Sequence, residues 1–428
     1  MQVLIIGGGG REHALAWKVA QSPRVEKVYC APGNAGTGIE NKVENVPIGA
    51  DDINALVSFA RDKRIDLSIV GPEAPLVAGV VDVFRFAGLR CFGPGREAAE
   101  LEGSKAYMKN FLKRHAIPTA EFETFEDLDK ASAYIKSKPT PIVIKADGLA
   151  AGKGVVIAST HEQALETAEA MLSGEAFGSA GQCIVVEEFL AGEEASFIVM
   201  TDGKNIIPFA SSQDHKARDD GDAGPNTGGM GAYTPAPIVD SKMHERIIEQ
   251  VIKPTLEGLG ADRRPYQGFL YAGLMIDRDG APKVLEYNCR FGDPETQPIM
   301  MRLRSDLAEA CIALLDGNGA KVDLEWDERV AVGVVIASGG YPGAYEKGHR
   351  IEGLDRSANE DTYVFHAGTE LRDGSIVNVG GRVLCVVGLG DTVRDAQSVA
   401  YSRVAEISFD GSFCRHDIGY RAIARESN

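Results

Sequence analysis

The apolar positions of the chain form short runs, separated by glycine-rich turns and by segments with a helical pattern. Residues 3–6 are all apolar and run into four glycines; a second predicted strand reaches Cys30, and a third covers residues 67–70, which are apolar except for Ser68. Short apolar runs of this kind predict strands of a parallel sheet covered on both faces. Leu15 and Val19, four residues apart, mark the apolar face of a helix after the first run. Residues 1–103 are therefore predicted to form a doubly wound α/β domain.

The glycine turn after the first strand is a candidate anion site. Gly7-Gly8-Gly9-Gly10 leads into a helix N-terminus, where backbone amides can hold a phosphate. The dinucleotide pattern G-x-G-x-x-G is incomplete, because Glu12 replaces its third glycine and because no acidic residue ends the second strand, which reaches Cys30. We expect a mononucleotide-like or sugar-phosphate ligand here, and a purely structural tight turn is the alternative.

A second glycine-rich turn lies inside a predicted β-hairpin at residues 141–158. Residues 146–154 form its loop, between two apolar runs. The loop is not a Walker A sequence, because Gly154 rather than Ser or Thr follows Lys153, and because a strand follows instead of a helix. The loop amides, Lys145 and Lys153 predict a flap that closes over phosphates. The alternative is a floppy surface hairpin.

A connecting helix is predicted at residues 104–122, upstream of this hairpin. Ser104 is its expected N-cap, and Pro118 stops it. Lys105 lies in the first turn, where a cation opposes the helix dipole unless it serves a ligand. This position hints at a phosphate contact.

Alternation along a strand near residue 286 predicts a metal site. Glu286 and Asn288 share one face, whereas Leu285 and Tyr287 share the other. Carboxylate and amide oxygens are hard donors that suit Mg²⁺. Arg290 follows at the next same-face position, and a metal beside an arginine suits phosphate transfer. An edge strand with a solvated polar face is the alternative.

Composition and charge narrow the class of protein. The 428 residues are 44% hydrophobic and 25% charged, without an apolar run long enough to cross a membrane, so we expect two to four domains. The first residues lack the features of a secretory signal. Seven scattered cysteines without a C-x-x-C pair predict reduced thiols and a cytoplasmic protein. A net charge of −17 argues against nucleic-acid binding, so local basic groups and backbone amides must hold any anion.

Several further stretches carry a resemblance that spans essentially the whole chain. They are Gly9-Gly10-Arg11-Glu12-His13-Ala14, Val70-Gly71-Pro72-Glu73-Ala74-Pro75-Leu76, Leu101-Glu102-Gly103-Ser104-Lys105, the loop at 145–154, residues 186–194, Ser212-Gln213-Asp214-His215-Lys216, residues 224–231, residues 286–297 and Asp417-Ile418-Gly419-Tyr420-Arg421. In this order they resemble the ATP-grasp superfamily and, within it, the phosphoribosylamine–glycine ligase (glycinamide ribonucleotide synthetase) family.

The resemblance implies an α/β and α+β architecture with four parts. The expected parts are an N-terminal doubly wound, parallel-sheet, substrate-binding domain at 1–103, a central ATP-grasp core at 104–122 and 192–328, a mobile lid at 123–191 and a small β-rich C-terminal domain at 329–428. It implies ligation of glycine to 5-phosphoribosylamine by ATP through glycyl phosphate, which gives glycinamide ribonucleotide, ADP and phosphate in purine (IMP) biosynthesis. It also implies Mg²⁺ or Mn²⁺ as cofactor, and we expect a monomer.

The resemblance also implies roles for individual residues. ATP would be held by Lys105, Lys145, Gly148, Gly152, Lys153, Gly154, Glu187, Glu188, Phe189, Leu190 and Glu194. The substrates would contact Gly9, Gly10, Arg11, Glu73, Asp214, Lys216 and Arg290. The metal would bind Glu286 and Asn288, and the catalytic residues would be Lys145, Asp214 and Arg290.

Three departures from the family pattern affect these expectations. Gly8 replaces a common asparagine, so a hydrogen bond to the sugar ligand is in doubt. Ala217 replaces a common arginine, with Arg218 next to it. Gly273 stands where many ATP-grasp enzymes have another metal carboxylate.

Two other functions share parts of this pattern. A carboxylase or another carboxylate–amine ligase would keep the ATP residues and differ around Asp214 and Arg290. A non-catalytic nucleotide sensor would keep adenine binding and need no metal pair. Steady ADP production that depends on an added carboxylate would exclude the sensor.

Overall fold

In the computed structural model, which describes residues 1–149, 154–174, 182–355 and 360–426, the chain begins with a five-stranded parallel sheet. The elements up to the lid are β1 (Gln2–Gly7), α1 (Gly10–Ala20), β2 (Lys27–Pro32), β3 (Val43–Asn45), α2 (Ile53–Asp62), β4 (Leu67–Val70), α3 (Glu73–Ala78), α4 (Val80–Phe86), β5 (Cys91–Phe92), α5 (Arg96–Gly103) and α6 (Lys105–Arg114). The strand order is β3-β2-β1-β4-β5, and all pairs are parallel.

Alternation along β1 places helices on both faces of this sheet. Leu4 and Ile6 pack in the cluster that contains residues of α2 and α4, whereas Val3 and Ile5 pack in the cluster that contains α1. The glycine turn is tight, since a Cβ on Gly7, at φ +126°, would lie 2.5 Å from the Glu12 side chain. The predicted doubly wound domain is confirmed.

The next segment folds into a separate four-stranded antiparallel sheet. Its elements are β6 (Phe122–Phe125), α7 (Leu128–Ser137), β7 (Ile142–Ala146), β8 (Val155–Ala158), α8 (His161–Leu172) and β9 (Ile184–Glu188). The strand order is β6-β9-β7-β8. Asp127 and Thr160 cap its two helices through their side chains. This segment has a hydrophobic cluster of its own, which includes Ile135, Ile144 and Ala168.

The middle of the chain supplies the central antiparallel sheet. Its elements are β10 (Glu193–Thr201), β11 (Ile206–Pro208), β12 (Gln213–Asp214), β13 (Ala217–Asp219), β14 (Ala223–Asn226), β15 (Gly231–Thr234), α9 (Ser241–Ile247), α10 (Lys253–Ala261), β16 (Gly268–Ile276), β17 (Pro282–Asn288), α11 (Thr296–Arg302) and α12 (Leu307–Leu315). A π-helical turn, Ile248–Ile252, joins α9 to α10. The sheet order is β11-β10-β16-β17, and β13 pairs with β14 in a separate hairpin.

The last part of the chain completes a six-stranded sheet. Its elements are β18 (Val330–Ser338), β19 (Thr362–His366), β20 (Thr369–Arg372), β21 (Ser375–Asn378), β22 (Arg382–Gly390), α13 (Val393–Val404), β23 (Ser412–Phe413) and α14 (Tyr420–Glu426). The order is β12-β15-β18-β22-β19, and β23 pairs with β18. Strands from both sides of the predicted boundary at 329 therefore share one sheet. No described helix is both long enough and apolar enough to cross a bilayer.

Candidate active site

A cleft of about 540 Å³ lies where the lid, the central sheet, the N-terminal domain and the C-terminal sheet meet. The predicted site residues that line it are Arg11, Glu73, Lys105, Lys145, Gly148, Gly154, Glu187, Glu188, Phe189, Leu190, Glu194, Asp214, Lys216, Glu286, Asn288 and Arg290. Gly9 and Gly10 are not among the lining residues, although they lie directly before Arg11, at the start of α1. Gly152 and Lys153 lie outside the described residues.

One end of the cleft is apolar. Leu190 packs with Ala120, Met275 and Leu285 in a small cluster between the lid and the central sheet. Leu285 reaches this cluster because the register of β16 and β17 shifts there: Leu274 pairs with Val284, and Gly273 pairs with Glu286. Tyr287 instead joins the main core, so the predicted alternation of Leu285 with Tyr287 is broken by a β-bulge.

Two lysines share one carboxylate beside this apolar end. The Lys145 ammonium forms an ion pair with Glu187, and Lys109 Nζ lies 2.6 Å from the other carboxylate oxygen. Lys145 also donates to the carbonyl oxygen of Leu285 at 3.2 Å. Burial is the largest influence on the pKa of Glu187, and the two lysines still hold that pKa below its usual value. Lys109 is fully buried on α6, and no sequence pattern marked it.

The start of α6 is tied to the glycine-rich loop. Ser104 accepts a hydrogen bond from the Tyr107 amide at 3.0 Å, which confirms the predicted N-cap. Asp147, at the start of the loop, accepts from Ser104 Oγ at 3.2 Å and from the Ala106 amide at 3.1 Å. Lys105 Nζ donates to the Gly148 carbonyl oxygen at 2.8 Å. Lys105 thus points from α6 to the start of the glycine-rich loop.

The predicted metal strand presents an ionised carboxylate. Lys216 Nζ lies 3.3 Å from Glu286 Oε1 and 3.0 Å from Glu194. The positive charge of Lys216 lowers the pKa of Glu286 to about 2. Burial acts in the opposite direction, and the charge of Lys145 lowers the pKa further. The hydrogen-bonding network orients the Asn288 amide so that its nitrogen donates to Glu102 Oε1 at 3.0 Å and to the Tyr287 carbonyl oxygen at 3.3 Å.

Gly273 lies directly across from Glu286 in the sheet. A Cβ at this position would lie 3.0 Å from Glu286 Cγ. A carboxylate here would crowd Glu286, so the departure from the family pattern at Gly273 fits the local packing.

The far side of the cleft carries arginines from two domains. Arg290 Nη2 lies 2.7 Å from Glu102 and 3.3 Å from Glu73. Arg11 pairs with its neighbour Glu12 at 2.7 Å and donates to the Phe291 carbonyl oxygen at 3.2 Å. Burial raises the pKa of Glu102 to about 7, although Arg290 opposes the shift. Glu102 lay inside a recognised motif, but sequence reasoning gave it no role.

Two acidic residues line the wall next to Lys216. Asp214 ends the short strand β12, and its Oδ1 atom is buried without a hydrogen-bond partner. Glu295 is 3% exposed and accepts from Ser196 Oγ at 2.8 Å. Burial, together with the charge of Glu295, raises the pKa of Asp214. Sequence reasoning missed Glu295, although it lies within the stretch 286–297.

The C-terminal sheet reaches the cleft through Arg382. Its Nη2 lies 2.9 Å from Asp293 Oδ2, and its Nη1 donates to the carbonyl oxygens of Asp293 at 2.6 Å and Gly228 at 2.8 Å. The sequence analysis gave Arg382 no role, because no motif lies next to it in the sequence. The C-terminal sheet therefore takes part in shaping the cleft.

Comparisons with known proteins agree across the chain. Three family models match: the N domain of phosphoribosylglycinamide synthetase at residues 1–102, its ATP-grasp (A) domain at 103–296 and its C domain at 331–421. A phosphoribosylamine–glycine ligase of Vibrio cholerae is 62% identical over 426 residues, which cover 100% of this chain and 99% of that protein. One of Salmonella typhi is 60% identical over 429 residues and 100% of both chains.

Solved structures give the same picture of the fold. The crystal structure of phosphoribosylamine–glycine ligase from Thermotoga maritima has a TM-score of 0.85 at 37% identity, covering 98% of this chain and 100% of that chain. A biotin carboxylase from Campylobacter jejuni has a TM-score of 0.75 at 16% identity and covers 96% of this chain and 92% of its own. At 16% identity, the similarity to the biotin carboxylase shows a shared fold and nothing about function.

Proposed function

The chain belongs to the phosphoribosylglycinamide synthetase family, and on this premise we propose how its cleft ligates glycine to 5-phosphoribosylamine with ATP. The reaction gives glycinamide ribonucleotide, ADP and phosphate, a step of purine biosynthesis. The roles of single residues below are proposals, supported by their positions in the cleft.

The nucleotide end is the apolar part of the cleft. The adenine ring packs against Leu190 and Leu285, with backbone groups of residues 188–190 at its edge and Glu194 at the ribose. Lys105 and Lys145 then donate to phosphate oxygens. Lys105 donates a hydrogen bond to the Gly148 carbonyl oxygen. Nucleotide binding replaces this hydrogen bond with one to a phosphate oxygen, and the position of the loop changes as a result.

Glu286 and Asn288 fit a divalent metal. The carboxylate is ionised at any working pH, since its pKa is about 2, and the Asn288 nitrogen donates to Glu102, so the amide oxygen is the atom that would bind the metal. When bound, Mg²⁺ or Mn²⁺ supplies positive charge beside the phosphates. Lys216, paired with Glu286, fixes the position of that carboxylate.

The chemistry proceeds in two displacements. A carboxylate oxygen of glycine attacks the γ-phosphorus of ATP. The bond between the γ-phosphorus and the β,γ-bridging oxygen breaks, and ADP leaves. The amine of phosphoribosylamine then attacks the acyl carbon of glycyl phosphate, phosphate leaves, and the amine loses a proton as the amide forms. Closure of the lid over the cleft excludes water from the acyl phosphate.

The observation that carries this proposal is the meeting of two anion-binding regions in one cleft. Lys105 and Lys145 line the cleft, and Arg290, Arg11 and Glu73 line it as well. One region suits ATP phosphates, and the second suits a sugar phosphate.

The test is an assay with ATP, Mg²⁺, glycine and freshly generated phosphoribosylamine, in which product mass and ADP are followed together. We expect glycinamide ribonucleotide and ADP in a one-to-one ratio. ADP release that ignores phosphoribosylamine, or that bicarbonate supports equally well, would assign the chain to another ligase chemistry. An absence of ADP with every carboxylate would indicate a nucleotide sensor.

A further inference from the structure

His215 lies between two residues of the cleft wall, and its side chain packs on the other side of the same segment. Asp214 and Lys216 line the cleft, whereas His215 does not. Successive side chains of an extended segment point to opposite faces, so this arrangement follows from the backbone. His215 is only 4% exposed, and the reaction proposed above gives this buried side chain no role.

Both ring nitrogens of His215 have a hydrogen-bond partner. The Gly419 amide donates to Nε2 at 3.1 Å, and Nδ1 lies 3.3 Å from the Gly231 carbonyl oxygen. Because an amide N–H can only donate and a carbonyl oxygen can only accept, Nε2 carries no hydrogen and Nδ1 carries one. Burial lowers the pKa of His215 to about 4. The imidazole is therefore neutral at neutral pH and is held in one tautomer.

The chain leaves the six-stranded sheet next to His215. Strand β12 ends at Asp214, which pairs with Ala232 of β15. The strands that follow Lys216, β13 and β14, form a two-stranded hairpin of their own, and its residues 220–226 are exposed. The regular pairing of β12 thus ends before Lys216, and other contacts must fix the direction of that side chain.

A segment near the end of the chain supplies such contacts. We call residues 415–421 the C-terminal segment. Arg415 in this segment is 1% exposed and donates to the carbonyl oxygen of Ala217, the residue after Lys216, at 3.0 Å. The same nitrogen, Nη1, lies 3.0 Å from Asp222 Oδ1 in the hairpin. Arg415 thus joins the two ends of β13 to the C-terminal segment.

Helix α13 holds the C-terminal segment from behind. Tyr401 Oη donates to the Arg415 carbonyl oxygen at 2.6 Å, and Gln397 donates to the Ile418 carbonyl oxygen at 2.8 Å. The guanidinium of Arg415 also donates to both carboxylate oxygens of Asp417, at 2.7 and 2.8 Å. The C-terminal segment is therefore a fixed support for the residues that it contacts.

We propose that His215 and Arg415 are positioning residues, through which the C-terminal segment sets the direction of Asp214 and Lys216. The inference rests on the proposed function, for which Asp214 and Lys216 are expected substrate contacts. Neither His215 nor Arg415 lines the cleft, so both act through their neighbours.

A shift of Lys216 would affect more than one part of the cleft. Its Nζ lies 3.0 Å from Glu194 and 3.3 Å from Glu286, the proposed ribose and metal contacts. Misplacing a positioned group by about 1 Å costs up to about 100-fold in rate. A loss of folded protein, in contrast, lowers kcat and leaves KM unchanged. The two effects can therefore be separated by kinetics.

The test compares His215→Leu with His215→Gln. Leu makes neither hydrogen bond, whereas the Gln side-chain oxygen can accept from the Gly419 amide in place of Nε2. We expect His215→Leu to raise the KM for glycine about 10- to 100-fold and His215→Gln to stay within about fivefold of wild type. An unchanged KM in His215→Leu, with or without a lower kcat, would overturn the proposal. Equal impairment of the two variants would also overturn it.

The matched control is His349→Leu, the same change at a partly exposed position of the C-terminal domain. It should leave the KM for glycine unchanged, and a rise equal to that of His215→Leu would contradict a specific role for His215.

Asp222→Asn keeps the inference testable if His215→Leu does not fold. Asp222 lies outside the cleft lining, and the substitution removes the charge that pairs with Arg415. We expect the KM for glycine to rise about three- to tenfold, and an unchanged KM would overturn the proposal. A wild-type protein that makes no glycinamide ribonucleotide would instead contradict the proposed function, and this outcome is separate from any result with the variants.

Discussion

Replacing Glu286 by Gln tests the metal site and leaves the fold in place. The Glu286 side chain is 40% exposed and has one ion pair, with Lys216 at 3.3 Å. A partly exposed pair of this kind contributes at most about 1 kcal/mol, because solvent screens it. Gln keeps the volume and the strand pairing with Gly273, so we expect the melting temperature to change little.

The effect on catalysis should be far larger. The proposed metal has one charged protein ligand, Glu286, beside the neutral amide of Asn288. Loss of that charge weakens metal binding and the neutralisation of transferring phosphate, a contribution of several kcal/mol. Since about 1.4 kcal/mol corresponds to tenfold in rate, we expect kcat to fall about 100- to 10,000-fold at fixed Mg²⁺.

The assay follows ADP release across a Mg²⁺ titration, together with thermal unfolding. Glu249→Gln is the control, because it also removes one lysine partner, Lys253, but on an exposed helix surface. A folded Glu286→Gln protein with activity within fivefold of wild type at the same Mg²⁺ concentration would refute the metal assignment.

The pH dependence gives an independent check on Glu286. Its folded pKa of about 2 lies below the ordinary value of 4.5, so its ionised form stabilises the folded state above that ordinary value. This contribution is lost as pH falls through about 2. The stability difference between wild type and Glu286→Gln should therefore be constant from pH 5 to pH 9 and shrink below about pH 4.5. An acid limb of activity near neutral pH must come from another group.

Two further predictions follow from the cleft. Arg382→Ala should lower kcat/KM by at least about 100-fold, as measured by steady-state kinetics. Arg382→Lys should not restore activity, since an ammonium cannot reach both Asp293 and the Gly228 carbonyl oxygen as a planar guanidinium does. A fully active lysine variant would contradict this prediction. ATP with Mg²⁺ should slow hydrogen exchange in peptides from residues 146–156, by up to about 100-fold at 100 times the dissociation constant, because a ligand that binds only the closed form suppresses local opening by that factor. Equal exchange with and without nucleotide would count against the predicted flap.

Local patterns were enough to predict most elements near the cleft. The apolar runs at β1 and β4 predicted the parallel sheet, and Ser104 predicted the start of α6. Alternation along one strand predicted that Glu286 and Asn288 share a face, and both line the cleft. In each case the signal lies within a few neighbouring residues.

Contacts between distant segments could not be read from the sequence. Lys109 looks like an ordinary lysine of an amphipathic helix, yet tertiary packing buries it against Glu187. Arg382 follows a glycine turn far from the other cleft residues, and only the pairing of β22 with β18 brings it to Asp293. The bulge at Leu285 depends on register with β16, which no single strand specifies.

The shared C-terminal sheet has a consequence for how the protein is made. During synthesis from the N-terminus, β12 and β15 emerge long before β18, the strand with which β15 must pair. Until then β15 keeps an open edge, a risk for association with other chains. The sheet that contains β12, the strand that ends at Asp214, is therefore completed only after β18 has been made. Arg382 is synthesised later still. A nascent chain can fold its N-terminal sheet early, but it gains a complete active site only after Arg382 and its strand β22 have been synthesised.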